Sequence, residues 1–117
     1  MPRPKVLLVD DSELVRAVVA HTLGASEYDV ACIDDPRALA VEIARFEPDL
    51  LLVDASYPGV TDEVLVALVG AHAKTVPVVL FSDRSDAEVT SLVGRIGARG
   101  SVPKEGATLA ARLAPYL

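Results

Sequence analysis

The chain has no apolar run long enough to cross a membrane. Crossing takes roughly 18 consecutive apolar residues, and the longest run here, Val64–Val69, has six. The first residues, Met1–Lys5, lead directly into a short apolar strand instead of the longer apolar core of a signal peptide. We therefore expect a cytoplasmic protein with no membrane partner.

The chain also lacks a second cysteine and an excess of positive charge. Its one cysteine, Cys32, cannot form an internal disulfide, which agrees with a reducing compartment, and its apolar neighbours predict that it packs in the interior. The formal net charge of −6 at pH 7 argues against direct binding of nucleic acid by this domain. The same charge suits a cation site or a basic partner.

The apolar content is enough for one hydrophobic core. The 117 residues are close to the usual size of a domain, and 51% of them are hydrophobic. The sequence contains no repeat, low-complexity tract or linker. We therefore predict a single domain over residues 1–117.

Three short apolar runs, each followed by oxygen-bearing side chains, organise the chain. The runs and the residues that follow them are Val6–Val9 with Asp10 and Asp11, Leu50–Val53 with Asp54, and Val78–Phe81 with Ser82 and Asp83. Short unbroken apolar runs between turn signals are typical of strands that are buried on both faces. Because open α/β sheets carry their chemistry at the carboxyl ends of the strands, we expect one site at one edge of one sheet.

Strand and helix patterns alternate five times along the chain. The strands are predicted at about 5–9, 29–33, 50–53, 77–81 and 100–102. The first helix is predicted between Ser12 and Gly24, the second between Asp35 and Pro48, and the third from a start at Thr61 or Asp62. The fourth helix is predicted between Ser85 and Gly97, and the fifth from about Ala107 to Tyr116. This alternation predicts an α/β fold with a parallel sheet covered on both faces. We choose the flavodoxin-like, doubly wound strand order 2-1-3-4-5 with five helices.

Helical spacing also predicts which side chains face the core. The inward residues expected in the first two helices are Leu14, Val15, Val18, Val19, Thr22 and Leu23, then Leu39, Val41, Ile43 and Phe46. Two histidines, His21 and His72, are predicted to be surface or packing residues. Three arginines are predicted to be solvated, or else to form a partner-facing basic strip near the fourth helix: Arg84, Arg95 and Arg99.

Carboxylates at the ends of the first and third strands predict a divalent-cation site. Asp10, Asp11 and Asp54 would meet in the crevice between these strands, where they repel one another unless a cation neutralises them. Mg²⁺ fits because it takes carboxylate and carbonyl oxygens while keeping several waters. With the Ser82 hydroxyl and the Lys104 ammonium at the ends of the fourth and fifth strands, the arrangement favours phosphoryl transfer. Each residue alone has an ordinary explanation as a cap, a turn residue or a solvated lysine, so the prediction rests on the joint arrangement.

Over nearly its whole length the chain resembles the response-regulator receiver domains of bacterial two-component signalling. The segments that carry the resemblance are Lys5–Ser12, Pro48–Asp54 with Pro58–Gly59 behind it, Val78–Ser82, and Gly97–Ala98 with Lys104 seven positions after Gly97. Any one of these segments would be a weak signal, but together they are specific.

The resemblance implies a signalling switch instead of a turnover enzyme. It implies that Asp54 accepts a phosphoryl group from a histidine kinase or phosphotransfer protein, and that the domain signals to a downstream output protein or domain. It further implies that Mg²⁺ is bound by Asp10, Asp11, Asp54 and the backbone carbonyl of Ser56, and that phosphoryl oxygens are bound by Ser82 and Lys104.

The chain departs from the pattern of that family at three positions. Ser101 stands where the family usually has tyrosine or phenylalanine, so we expect no switch based on an aromatic rotamer. Glu105 follows Lys104 where the family has a cis proline. A cis bond without proline costs about 2.5–4 kcal/mol, so we predict a trans peptide, which could displace the lysine or reshape its loop. Asp83 replaces a small residue, and it could repel phosphate, slow phosphorylation or add a metal contact.

Other functions are compatible with parts of the sequence. The main alternative is a receiver-like adaptor that binds partners without phosphorylation, motivated by Asp83, Ser101 and Glu105. A small Mg²⁺-dependent phosphohydrolase is disfavoured because the sequence offers no separate general acid or cap for a substrate pocket. A nucleotide-binding domain is disfavoured because Asp10–Glu13 is acidic where a phosphate loop is rich in glycine.

Overall fold

A five-stranded parallel sheet forms the centre of the protein. The computed structural model describes residues 3–117. The strands are β1 (Lys5–Val9), β2 (Asp29–Ile33), β3 (Leu50–Asp54), β4 (Val78–Ser82) and β5 (Gly100–Pro103). Their order in the sheet is β2-β1-β3-β4-β5, and every neighbouring pair is parallel. The predicted fold class and strand order are confirmed.

Five α-helices connect and follow the strands. They are α1 (Glu13–Ala25), α2 (Leu39–Phe46), α3 (Asp62–Gly70), α4 (Asp86–Ile96) and α5 (Leu109–Leu113). Single 3₁₀ turns precede α2 and flank α5, at Pro36–Ala38, Gly106–Thr108 and Ala114–Tyr116. Within residues 3–117 the longest helix, α1, has 13 residues, and none reaches the length and hydrophobicity that spanning a membrane requires.

The sheet separates two apolar layers. Successive strand residues point to opposite faces, so Leu7 and Leu51 pack with the α2–α4 layer, whereas Leu8 and Leu52 pack with the α1 and α5 layer. All five residues of β3 are buried, as expected for a central strand of a parallel sheet. This packing fixes the frame from which the strand ends project.

The expected inward face of α1 is wrong at two positions. Leu14 and Val18 are 74% and 45% exposed, while Val19 and Leu23 are buried. Residues 19 and 23 lie on one line along the helix, and residues 14 and 18 lie on the adjacent line about 100° away. Only the first line reaches the sheet, so the apolar face is narrower than the sequence indicates.

A similar correction applies to α2. Leu39 is buried and Ile43 and Phe46 pack against the core, but Val41 is 72% exposed. Residue 41 lies about 200° around the helix from residue 39 and therefore points away from the sheet. Cys32, predicted to be interior, is only half-buried because β2 is an edge strand.

Most helix ends lie where the sequence predicts them, with two exceptions. Ser12, Thr61 and Ser85 accept hydrogen bonds at the N-termini of α1, α3 and α4. The first helix does not end at Gly24 but runs on to Ala25. The last helix is also broken, with one short α-helical segment between two 3₁₀ turns where a continuous helix from 107 to 116 is expected.

The strand register determines which side chains meet. Val9 pairs with Val53 across β1 and β3, Asp54 with Phe81 across β3 and β4, and Ser82 with Pro103 across β4 and β5. The residues at or just beyond the carboxyl ends of these four strands therefore lie at one level on one edge of the sheet. They are Asp10, Asp54, Ser82 and Lys104.

Candidate functional site

Three carboxylates converge at the carboxyl ends of β1 and β3. Oxygens of Asp10, Asp11 and Asp54 all lie within 4.8 Å of one another. Asp10 and Asp54 are 0% and 2% exposed, whereas Asp11 is exposed. Two buried acids and one that faces solvent form an oxygen-lined site that is open on one side.

Backbone groups hold the Asp10 carboxylate in place. The N–H of Ser12 donates to Oδ1 of Asp10 at 2.9 Å, and the same serine caps α1 through its hydroxyl. The guanidinium of Arg16 donates to the backbone carbonyl of Asp10 at 2.8 Å. The start of α1 thus fixes the acidic residues that follow β1.

The Asp54 carboxylate is held through one of its two oxygens. The N–H of Ser56 donates to Oδ1 at 2.8 Å, and Nζ of Lys104 lies 3.0 Å from the same oxygen. Burial raises the pKa of Asp54, and the negative charge of Asp10 adds to the rise, while the contacts with Ser56 and Lys104 oppose it. The ionised carboxylate is therefore kept in an environment that disfavours its charge.

Lys104 connects the two buried acids. Its Nζ lies 3.0 Å from Oδ1 of Asp54 and 3.2 Å from Oδ2 of Asp10, and it stands 5.6 Å from the centre of the Phe81 ring. Burial lowers the pKa of Lys104, but the contacts with Asp54 and Asp10 outweigh that effect and the pKa is raised. The ammonium therefore stays charged between the carboxylates.

Glu105 does not displace the lysine. No peptide bond in residues 3–117 is cis, so the predicted trans bond between Lys104 and Glu105 is confirmed. The lysine nevertheless contacts both acids. The departure from proline at position 105 is therefore accommodated by the loop.

Ser82 lies at the end of β4, beside the strand β3 that ends in Asp54. It is 6% exposed, and its hydroxyl oxygen accepts the N–H of Arg84 at 2.9 Å. Its strand partner is Pro103, directly before Lys104. Ser82 and Lys104 thus lie at neighbouring strand ends, and both line the same cavity.

The other two departures lie at the surface. Asp83 and Ser101 are exposed, and both line a cavity of about 560 Å³ between the first turn of α4 and β5. Asp83 is not among the acids of residues 3–117 that gather around Asp54.

Arg84 is more enclosed than its sequence surroundings indicate. The sequence predicts a solvated side chain or one in a partner-facing basic strip. The Arg84 side chain is instead only 21% exposed and binds Asp62, Glu88 and the backbone carbonyl of Ala55. The spacing of four residues to Glu88 is visible in the sequence as a helix-type ion pair. The contacts with Asp62 and Ala55 depend on the fold and leave no local pattern.

Comparison with known proteins gives a family match over most of the chain. The family described as "Response regulator receiver domain" matches residues 6–113. Among curated proteins, a protein-glutamate methylesterase/protein-glutamine glutaminase of Nocardioides sp. is 30% identical over 109 residues, which are 89% of this chain and 30% of that protein. The two-component response regulator ORR3 of Oryza sativa is 36% identical over 87 residues, or 72% of this chain and 66% of that protein.

Solved structures agree with this match. The chemotaxis response regulator CheY4 of Vibrio cholerae superposes with a TM-score of 0.83 and 27% identity, covering 98% of this chain and 99% of that one. The BeF3-activated receiver domain of RstA from Klebsiella pneumoniae has a TM-score of 0.81 and 29% identity, covering 96% and 97%. The chain spans about a third or less of the methylesterase relatives, whose other parts lie outside the match.

Proposed function

The chain belongs to the response regulator receiver domain family, and we propose that it is a switch that is phosphorylated on Asp54. It is a receiver domain of the two-component type, like the response regulators it matches. The observation that carries the proposal is the convergence of chain-distant residues. One ammonium, on Lys104, lies within 3.2 Å of both Asp10 and Asp54, and Asp11 completes the acidic group.

The chemistry follows from the contacts of Asp54. Both contacts to its carboxylate use Oδ1, so Oδ2 is the oxygen left to attack phosphorus. In the proposed step the new bond joins Oδ2 to phosphorus while the bond from phosphorus to the donor's histidine nitrogen breaks. The electron pair of that bond returns to the imidazole. Lys104 and the Ser82 hydroxyl are the groups that bind phosphoryl oxygens.

The residues present fit a divalent cation. The three clustered carboxylates carry three negative charges and the Lys104 ammonium carries one positive charge. The group therefore has two negative charges in excess, on oxygens that can bind a metal ion. Asp10, Asp11, Asp54 and the backbone carbonyl of Ser56 would hold Mg²⁺, which neutralises charge on the transferring group when it is bound. Mg²⁺ has the charge, the oxygen preference and the retained waters that this half-open site requires.

We propose a histidine kinase or phosphotransfer protein as the donor and an output protein or domain as the target. The domain is expected to act in the cytoplasm, and residues 1–117 are proposed to form one domain. Turnover of an external substrate is not part of this function. The esterase and glutaminase activities in the name of the Nocardioides protein are those of that protein.

The test is phosphorylation by a small donor. The protein is incubated with Mg²⁺ and phosphoramidate, and its intact mass is followed over time. We expect a gain of one phosphoryl group in the wild type and in the matched control Asp83→Asn, and no gain in Asp54→Asn. Steady release of phosphate from unrelated phosphoesters, with no covalent gain, would identify a phosphohydrolase instead.

An adaptor that works without phosphorylation is the second candidate. It is favoured by the exposed Ser101, which leaves the cavity beside β5 without an aromatic ring. This function predicts no phosphoryl gain under any donor and Mg²⁺ condition. It also predicts that partner binding is the same for the wild type and Asp54→Asn.

A further inference from the structure

Arg16 holds the peptide unit that joins the two consecutive acids of the site. Its guanidinium Nη1 donates to the backbone carbonyl of Asp10 at 2.8 Å, and the residue is half-buried. That carbonyl belongs to the peptide unit between Asp10 and Asp11, whose atoms lie in one plane. The direction in which the Asp11 side chain leaves the backbone therefore depends on a plane that Arg16 fixes.

The other backbone groups around the two acids are held as well. The N–H of Asp10 donates to the carbonyl of Ile33 at 3.1 Å, and the N–H of Ser12 donates to Oδ1 of Asp10 at 2.9 Å. The N–H of Arg16 donates to the carbonyl of Ser12 at 2.9 Å, so Arg16 bonds to the backbone on both sides of Asp11. Because Asp11 is exposed, its position depends on this surrounding frame.

The precision with which the acids are placed affects which divalent ion they favour. Mg²⁺ requires a nearly octahedral set of oxygens at about 2.0–2.1 Å, whereas Ca²⁺ takes oxygens at about 2.3–2.6 Å in flexible arrangements. A rigidly placed pair of acids can satisfy the stricter requirement of Mg²⁺. A loosened pair loses affinity for Mg²⁺ and still adapts to Ca²⁺.

We propose that Arg16 is a positioning residue that makes the acidic group of Asp10, Asp11 and Asp54 selective for Mg²⁺ over Ca²⁺. This role rests on the proposed function, since it concerns the cation that the function uses. Arg16 acts through the backbone oxygen of Asp10 and not through the reacting atoms. Its positive charge alone would act in the opposite direction, because a cation near the site weakens the binding of every divalent ion. Position and charge therefore predict opposite signs.

Two variants of Arg16 separate position from charge. Arg16→Gln removes both the guanidinium contact and the charge, whereas Arg16→Lys keeps the charge and replaces a rigid planar donor by a flexible one. The matched control is Arg37→Gln, because Arg37 is an exposed arginine just beyond β2 at the same edge of the sheet and its side chain pairs with Asp35. MgCl₂ and CaCl₂ are titrated separately into each protein, without a phosphoryl donor, and the amide NMR signals of residues 11, 12 and 56 give the dissociation constants.

The expected result is a change in the ratio of the two dissociation constants. In Arg16→Gln the Kd for Mg²⁺ should rise by about tenfold, the lower end of the usual effect of losing a contact behind a metal ligand. The Kd for Ca²⁺ should stay within about threefold of the wild type, because Ca²⁺ tolerates irregular ligand positions. Arg16→Lys should lie between Arg16→Gln and the wild type, and Arg37→Gln should keep the wild-type ratio.

Other outcomes would contradict the role of Arg16. Tighter binding of both ions in Arg16→Gln would mean that only its charge matters. Equal weakening of both ions, or no change, would mean that it does not set selectivity, and so would a wild type that binds Ca²⁺ as tightly as Mg²⁺. Urea denaturation in EDTA shows whether each variant is folded. If Arg16→Gln does not fold, the ratio in Arg16→Lys decides, since a wild-type ratio there refutes the role and a lower preference for Mg²⁺ supports it.

Phosphoryl uptake, measured by intact mass in separate samples, distinguishes this role from the proposed function. If the wild type takes up no phosphoryl group but the preference for Mg²⁺ falls in Arg16→Gln, the proposed function fails and the role of Arg16 stands. If the wild type is phosphorylated and both variants keep its ion preference, the proposed function stands and the role of Arg16 is refuted.

Discussion

The buried carboxylates of the site lower the stability of the folded chain, as is common for residues that serve a function. Asp54 is an ionised group with almost no solvent contact, beside a second buried carboxylate at Asp10. Such an arrangement raises the pKa of Asp54 and so disfavours its charged form, and Lys104 compensates only one of the three negative charges in the group. A site with unbalanced charge is ready to take up a cation and a phosphoryl group, at the cost of stability when both are absent.

This reasoning predicts that Asp54→Asn stabilises the metal-free protein. The amide still accepts the N–H of Ser56 and no longer repels Asp10, and Lys104 keeps Asp10 as its partner. We expect the free energy of unfolding at pH 7 in EDTA to rise by roughly 1 kcal/mol, the usual size of single-residue effects. Urea denaturation followed by circular dichroism measures the change.

The same variant has a defined pH dependence. Burial raises the pKa of Asp54 in the folded state above its ordinary value of 3.8. The stability contributed by the protonated acid is therefore fully present below about pH 3.8 and is lost as the pH rises through the folded-state pKa. The rise in the free energy of unfolding caused by Asp54→Asn should accordingly shrink toward zero on acidification. A gain that is independent of pH would show that charge is not its cause.

Removal of the lysine should have the opposite effect. Lys104→Gln leaves Asp10 and Asp54 buried without their ammonium, so we expect a loss of about 1–3 kcal/mol in EDTA. Saturating Mg²⁺ should restore part of that loss because it supplies positive charge to the same oxygens. The control is Lys74→Gln, at an exposed position on the turn after α3, which should lie within about 0.5 kcal/mol of the wild type.

Which site residues can be predicted from sequence depends on how they are positioned. Asp54 and Ser82 end strands, and Asp10 and Lys104 come directly after strands, so the parallel sheet places all four at one edge once the strands are recognised. Arg84 is different because its partners at residues 55 and 62 lie across a loop. Only the folded chain shows that a side chain expected in solvent is anchored.

At the scale of secondary structure, capping residues predict most helix boundaries. The α4 helix begins at a capping box in which Ser85 and Glu88 bond to each other, and it ends at Gly97 with φ of 82°. The expected buried stripes were less reliable. Leu14, Val18 and Val41 are exposed because only a narrow face of each helix contacts the sheet. The sequence shows where apolar residues recur, but it does not show the width of that contact face.

Two glycines near the end of α4 should respond to alanine in opposite directions. Gly97 adopts a left-handed conformation that a Cβ disfavours, so Gly97→Ala should cost about 1 kcal/mol. Gly94 lies within the helix with open space around it, so Gly94→Ala should add about 0.5–1 kcal/mol through helix propensity. Thermal unfolding of the two variants, side by side, measures the difference. The same sign for both would contradict this account of the helix end.

On the scale of the whole molecule, the residues that stabilise the fold and the residues of the candidate site lie in different parts of the sheet. The two apolar layers contain buried helix residues and most of β1, β3 and β4, while three clustered carboxylates lie at the carboxyl ends of β1 and β3. The alternation of strands and helices made this division predictable. Right-handed crossovers leave few orders for five parallel strands. Loop geometry, such as the trans peptide between Lys104 and Glu105, follows no periodic pattern and is visible only in the folded chain.

The same division predicts how a metal ion affects global stability. An ion that binds only the folded chain raises the free energy of unfolding by RT ln(1 + [Mg²⁺]/Kd), or about 1.4 kcal/mol at ten times Kd. For a domain of this size that corresponds to a rise in Tm of roughly 4–8 °C. Scanning calorimetry in MgCl₂ measures it, with KCl at equal ionic strength to correct for screening.

Two variants show whether that rise comes from the acidic group. Asp11→Asn removes one of the three clustered carboxylates and should abolish most of the Mg²⁺ effect, since Asp11 is the member that faces solvent. Asp83→Asn removes a nearby exposed acid outside the cluster and should leave the effect intact. An equal Mg²⁺ response in both variants would mean that the ion binds elsewhere. The charge excess around Asp54 would then have to be balanced by protons or by a partner's cationic groups.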